Sequence, residues 1–158
     1  MALNQTHGLS SRGFTLVELM IALLVAGILF ALAIPSFQAS SINGALRRTT
    51  GDLVTAINTA RAQAVNLRVD IQLKEHSGGW KNGWDLEYPP SVTIEQNKSF
   101  PQSGKVEVDL QGGASVLTFS STGFVTSGAA VFELCIKGRG RQVEVSPIGR
   151  VTTTDWSC

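Results

Sequence analysis

The chain of 158 residues predicts an α+β fold in which one long N-terminal α-helix packs against antiparallel β-sheet, and three observations predict it. The first is an apolar run: Leu19 to Ile34 is sixteen residues without a charge, and counting back to Phe14 gives twenty-one. At helical rise that is roughly 30 Å, enough to cross a bilayer core. The second is a stripe in which Leu46, Leu53, Ile57, Ala60, Ala64 and Leu67 recur at steps of seven, four, three, four and three. That spacing is one face of a helix. The third is a change to alternation from Val69 onward, the signature of half-buried strands.

The elements follow in order. Met1 to Gly13 is a short polar leader whose only clear cation is Arg12. The apolar run comes next and carries one carboxylate, Glu18, near its start. An ionised side chain in that setting costs on the order of 2.5 kcal/mol or more and needs a partner. A secretory signal peptide would place a small-residue cleavage site after the run, but Pro35-Ser36-Phe37-Gln38 has no Ala-x-Ala pattern, and the small residue, Gly13, precedes the run. The helix is expected to continue to about Leu67, with Arg47, Arg48, Asp52, Asn58 and Arg61 off the apolar stripe. Pro35, Gly44 and Gly51 are tolerated weak points. A proline inside a helix costs about 3 kcal/mol, so a bend or locally meltable segment is expected near Pro35.

Half-buried strands are expected at Val69–Lys74, Val92–Glu95, Val106–Leu110 and Gln142–Ser146, with more apolar, central ones at Val116–Phe119 and Val131–Ile136. Ser77-Gly78-Gly79, Pro89-Pro90, Gly112-Gly113, Thr122-Gly123 and Ser127-Gly128 supply the turns between them. With 43% hydrophobic residues, part of them in the N-terminal run, there is room for one anchored domain of about 120 residues. Net charge is +1, and removing the leader with Arg12 leaves twelve basic against twelve acidic side chains. Global charge therefore does not announce a nucleic-acid binder, and any such activity has to come from a local patch.

Gly13-Phe14-Thr15-Leu16-Val17-Glu18, the apolar run and Pro35 together resemble the processing motif of type IV pilins and type II secretion pseudopilins. The resemblance implies a type IV pilin-like fold and cleavage by a prepilin peptidase after Gly13, with methylation of the new N-terminal Phe14. It implies that Glu18 neutralises the terminal ammonium of a neighbouring subunit, so that two charges costly alone in lipid become a pair. It also makes the Pro35 region a joint used in filament packing. The expected organisation is a leader at 1–13, a transmembrane and filament-core helix at 14–35, an amphipathic helix at 36–68 and a sheet region at 69–158. An ordinary anchor helix whose Glu18 snorkels to the interface is the alternative for the same residues.

Ala60-Arg61-Ala62-Gln63-Ala64-Val65, Trp80-Lys81-Asn82-Gly83-Trp84, Leu117 to Gly123 and Ser146-Pro147-Ile148-Gly149-Arg150-Val151 are similar to the minor pilin and pseudopilin group named for GspH, FimT and FimU. The likeness implies a low-abundance subunit of the initiating or tip complex of a pilus, inserted once in the inner membrane before assembly and carried to the periplasm or cell-surface pilus afterwards. Other pilin and minor pilin subunits, the prepilin peptidase and the inner membrane are the implied partners, and no cofactor is implied. A GspH-type pseudopilin of a type II secretion system fits the same motifs, and neighbouring genes would separate the two.

Trp80 and Trp84 could form an aromatic ligand platform, but with Gly83 between them they fit better as a cap on the sheet or a cover for the helix. His76 and His7 are too few and too isolated for a metal site, and no nucleophile and base stand at recognisable spacing, so an enzyme is not expected. Cys135 and Cys158 are the two thiols. In the oxidising setting that the family implies, a disulfide tying the C-terminus to a central strand is expected, worth roughly 3 kcal/mol in the chain-entropy model; two free thiols or a mixed disulfide are the alternatives.

One charge cluster remains, Lys137-Gly138-Arg139-Gly140-Arg141, with Arg150 further on. Three cations in five residues can contact adjacent phosphates, and glycines let backbone approach a surface. This resembles the Gly-Arg-x-Arg element of FimT-like pilins that bind double-stranded DNA in natural transformation, although nearer the terminus this chain reads Gly149-Arg150-Val151-Thr152, with Thr152 in place of the second arginine. A solvated hairpin turn between strands ending at Ile136 and starting at Gln142 is the other reading of the cluster.

Overall fold

The computed structural model describes residues 13–93, 96–126 and 128–158, with the side chains of 32–36 and 113 outside that description. The chain divides into two compact units, Met1–Ala39 and Ser40–Cys158. A single helix, α1, is assigned from Leu16 to Leu67. In the first unit its apolar side chains are bare: Leu16, Met20, Leu23, Leu24 and Phe30 are all more than 60% exposed. Among the described residues no helix is long and apolar enough to cross a membrane. The apolar run of the sequence continues past Ala31 into 32–36, outside the described side chains, and the joint expected at Pro35 falls there too.

In the second unit α1 becomes one-sided. Leu46, Leu53, Ala56, Ile57, Ala60 and Ala64 are buried, whereas Arg47, Arg48, Asn58 and Arg61 are exposed. Two polar positions on the buried face, Thr49 and Thr50, satisfy their hydroxyls: Thr50 Oγ1 donates within the helix to the Leu46 carbonyl at 2.7 Å, and Thr49 Oγ1 to Gln102 Oε1, after β3, at 3.4 Å.

Among the described residues eight strands follow: β1 Ile71–Glu75, β2 Gly83–Glu87, β3 Lys98–Pro101, β4 Glu107–Leu110, β5 Val116–Phe119, β6 Ala130–Ile136, β7 Arg139–Val145 and β8 Val151–Trp156. They form two antiparallel four-stranded sheets, ordered β3-β2-β1-β5 and β4-β6-β7-β8. The chain passes from the first sheet at β3 to the second at β4, back at β5, and again to the second at β6. Inward side chains of both sheets, among them Leu73, Leu86, Leu117, Phe119, Phe132, Leu134 and Val143, share one core with the buried face of α1. Trp80, in a 3-10 turn before β2, joins the sheets: its ring meets Phe132 of β6 edge-on, centroids 5.0 Å apart at 79°.

The expected strand at Val92–Glu95 is corrected. Val92 and Thr93 lie outside any strand, because the Pro89-Pro90 segment turns the chain there, with the Val92 N–H donating to the Pro89 carbonyl at 2.9 Å. Ile94 and Glu95 lie outside the described residues. Three strands were not legible as such: β2, β3 and β8 carry glycine, proline or three consecutive threonines rather than clean alternation.

Candidate functional site

Before α1 stand Gly13 and Phe14, and Phe14 is 80% exposed; residues 1–12, with His7 and most of the expected leader, lie outside the described residues. Thr15 caps the helix, its Oγ1 accepting from the Glu18 backbone N–H at 3.2 Å. Thr15-x-x-Glu18 is the spacing of a capping box, and a carboxylate in the first turn is favoured by the unpaired N–H groups and dipole of the helix end. The same spacing places Glu18 four residues after the amine that cleavage at Gly13 would create.

At the other end of the sequence, Cys135 of β6 is joined to Cys158 by a disulfide with Cα atoms 6.0 Å apart. The bond holds the tail after β8 over β7, and Gly140 makes room for it. A Cβ at Gly140 would lie 2.8 Å from Trp156 Cε3, 2.9 Å from Cys158 Sγ and 3.1 Å from the Leu134 carbonyl oxygen. Gly138 has a different reason. Lys137 and Gly138 form the two-residue loop between Ile136 and Arg139, both with positive φ, 48° and 77°. Those signs are what a type I′ hairpin turn needs to match strand twist. Both glycines of the Lys-Gly-Arg-Gly-Arg cluster are thus accounted for by the hairpin and the disulfide.

The cations of that cluster are separated in what they touch. Lys137 is exposed at the hairpin tip. Arg139 donates from Nη1 to Asn43 Oδ1 at 2.6 Å, linking the hairpin to α1. Arg141 Nε lies 3.3 Å from Asp155 Oδ1 across β7 and β8. Arg150 is elsewhere: it follows the loop at the opposite end of β7, a strand of seven residues or roughly 20 Å. The fold does not bring Arg150 to the other three, but it does bring Arg47, Arg48 and Lys105. Two open grooves, about 960 and 320 Å³, have hairpin residues in their lining: Arg48, Lys105 and Lys137 border the first, and Arg47, Arg139 and Arg141 the second. No sequence signal joins Arg47 and Arg48 to a hairpin some ninety residues later.

The short motifs at 60–65, 117–123 and 146–151 do meet. Arg61 of α1 donates from Nε to the Gly123 carbonyl at 3.2 Å. Gly149 packs on the same spot, where a Cβ would lie 2.6 Å from both Arg61 Nε and the Gly123 oxygen. The Val125 N–H donates to the Pro147 carbonyl at 2.9 Å, and Gly149 N–H to the Ser146 carbonyl at 2.8 Å, so the two loops are held edge to edge against the helix.

Trp80 and Trp84 are buried, 4% and 0% exposed, so they build the core instead of a platform. Trp80 Nε1 donates to the Ala114 carbonyl at 3.0 Å. His76 Nδ1 pairs with Asp85 Oδ2 at 2.9 Å, and among the described residues no group of three His, Cys, Asp or Glu side chains gathers as a metal site would need.

Residues 49–149 match the family described as Type II transport protein GspH. The chain belongs to the GspH family. This GspH-family chain also matches the prokaryotic N-terminal methylation motif over residues 9–34. It is 26% identical over 152 residues to the type IV major alpha-pilin of Moraxella bovis, covering 94% of this chain and 85% of that one. Its fold resembles crystal structures of the type IV minor pilin FimU of Pseudomonas aeruginosa in two crystal forms, each with a TM-score of 0.60. One, at 20% identity, covers 71% of this chain and 90% of that one; the other, at 21%, covers 69% and 92%. The expected pilin-like α+β architecture therefore holds.

Proposed function

We propose that this GspH-family chain is a minor pilin: it is cut after Gly13 by a prepilin peptidase, held in the inner membrane by residues 14–35, and incorporated into the complex that starts or tips a type IV pilus. The observation that carries the reading is the bare apolar surface of α1 from Leu16 to Phe30, with Glu18 in its capped first turn, in a chain that also carries a pilin-fold domain. A helix exposed on all sides needs lipid or other helices around it. Before assembly lipid serves; in the filament the equivalent helices of neighbours replace it. Glu18, held at the helix start by the Thr15 cap, meets the terminal ammonium of an adjacent subunit, and the pairing removes two isolated charges from an apolar setting while fixing the stagger between helices. The domain contributes surfaces, not chemistry, so its role is structural.

The match to a family described by type II transport supports a second reading, a pseudopilin of a secretion system, by the same mechanism. Both are tested by two variants. Gly13→Leu should leave the unprocessed, longer chain on immunoblots, and a normal mature length would remove the cleavage site. Glu18→Val should insert in the membrane as the parent does yet be depleted at least tenfold from sheared filaments; parental incorporation would end the pairing argument. Loss of pili in a strain lacking the chain selects the pilus reading, and loss of secretion with pili intact selects the other.

A further inference from the structure

We propose that the open edge of β8 pairs with β8 of a second copy of this chain, antiparallel, about a two-fold axis at Thr153. Two four-stranded sheets leave four edge strands among the described residues, β3, β5, β4 and β8. An edge offers unpaired N–H and C=O groups to any other strand, and a protein that stays single guards it with charge, proline or covering chain. Three of the four are guarded. β3 begins at Lys98 and ends at Pro101, which has no N–H to donate. β4 has four residues and presents Glu107 and Asp109, both exposed. β5 is covered by the chain that follows it: Phe119 bridges Val125, and the Thr126 N–H donates to the Thr118 carbonyl at 3.0 Å.

β8 has none of these devices. It is six residues, Val151 to Trp156, without proline, glycine or lysine, and Thr152 to Trp156 are all exposed. Its one charge is engaged from the β7 side, where Arg141 Nε lies 3.3 Å from Asp155 Oδ1. The Cys135–Cys158 bond carries the last residues back over β7, onto Gly140, so the disulfide ends the edge strand without covering it. Among the described residues no strand pairs with the far side of β8.

The residues of β8 select a second copy as the occupant. Directly opposite residues of an antiparallel pair share a face, so a two-fold axis must pass between a residue and its own counterpart. Centred on Thr153, the axis sets Thr153 against Thr153 and, on each side of it, Thr152 against Thr154, with Val151 opposite Asp155. Those are three threonine pairs, and the two Asp155 carboxylates stay apart. Arg150, exposed and without an ion pair among the described residues, comes opposite Trp156 of the other copy and next to its Asp155. Threonine pairs and opposite charges across strands are favourable, and so is a guanidinium against indole. The β4 edge fails the same test, since an axis at Val108 sets Glu107 against Asp109. A two-fold pair is isologous and closes at two copies, in one eight-stranded sheet. The inference rests on the Ser40–Cys158 unit alone and goes beyond the pilin reading.

The test produces the full chain in two lengths, tagged and untagged, in the same cells. With Thr153→Cys in both, the two Cα atoms at the axis stand about 4.5–5.5 Å apart, within disulfide range, whereas at Thr154 a two-residue offset puts them beyond about 7 Å. Oxidation of the cells should give a band joining tagged and untagged chains at least about tenfold stronger for Thr153→Cys than for Thr154→Cys, or for Ser99→Cys on the guarded β3 edge. A second arm measures capture of the untagged chain by the tagged one from detergent extracts. Thr153→Glu sets like charges against each other at the axis, so its capture should fall at least about tenfold, and mixing Thr153→Glu with Thr153→Lys chains should restore it, which a misfolded domain could not do. Equal cross-linking at the three positions, parental capture of Thr153→Glu chains, or no rescue in the mixture overturns the proposal. A Thr153→Cys band to a different protein, and not to the other copy, overturns it in favour of a foreign strand on the same edge.

Discussion

Replacing Gly149 by alanine asks whether the three short motifs form one structural unit. Gly149 has φ of 75° and Gly138 has 77°, so alanine pays the same intrinsic cost at both, about 1–2 kcal/mol for an L-residue in the left-handed region. Their surroundings differ. The space around Gly138 is open, whereas a Cβ at Gly149 falls 2.6 Å from Arg61 Nε and 2.6 Å from the Gly123 carbonyl oxygen. The arginine can swing aside, but then it gives up its bond to Gly123. A backbone carbonyl held between two loops cannot swing. Overpacking of this kind costs about 1–3 kcal/mol, and losing a charge-assisted hydrogen bond, discounted for partial exposure, roughly 1 kcal/mol more. Gly149→Ala should therefore destabilise by about 4 kcal/mol and Gly138→Ala by about 1 kcal/mol. Urea unfolding of the detergent-solubilised chain, followed by the fluorescence of buried Trp80 and Trp84, reads the difference. At a slope near 1.5 kcal/mol per molar, the midpoint should fall by about 2–3 M in the first variant and by less than about 1 M in the second. Two variants within about 0.5 kcal/mol of each other would show that the junction yields, and would refute the packing argument.

Two further outcomes follow from the same contacts. A Cys135→Ser, Cys158→Ser double variant opens a loop with a sequence separation of 23 and should lose about 3 kcal/mol, with dithiothreitol bringing the parent to the same midpoint; a parent indifferent to reductant would contradict it. Trp80→Phe strands the Ala114 carbonyl and alters the edge contact to Phe132, so it should cost about 2–3 kcal/mol in thermal unfolding, and a change below about 0.5 kcal/mol would mean that the ring does not tie the sheets together.

Much of this molecule was legible because its signals are local and periodic. Uniform apolarity to Ile34 and then a stripe ending at Leu67 dictate one long helix, and α1 does end at Leu67. Alternation located β1, β4 and β7, and apolar runs located β5 and β6, all within about three residues, since a strand with one wet face must alternate; of the two runs expected to be central, β6 is, whereas β5 lies at a sheet edge. The Thr15 cap on the Glu18 N–H was not read from the sequence, although the Thr-x-x-Glu spacing carries that signal. Val92–Glu95 shows the limit: its first two residues, next to Pro89-Pro90, are taken out of a strand by a turn whose backbone bond is made locally.

The sequence alone determined which segments must be buried, where the chain turns and which charge sits unaccompanied in an apolar run, because each follows from the chemistry of neighbours along the chain. Tertiary structure alone decided what distant neighbours do. It assigned β4 and β5 to different sheets, gave Gly140 and Gly149 their purposes through atoms that come from other segments, and set Arg47 and Arg48 beside the hairpin while placing Arg150 a strand length away. Local chemistry fixes the state of a segment, but which of several equally apolar faces meet is chosen by packing the whole core at once, and the surface charges are carried wherever that packing puts them.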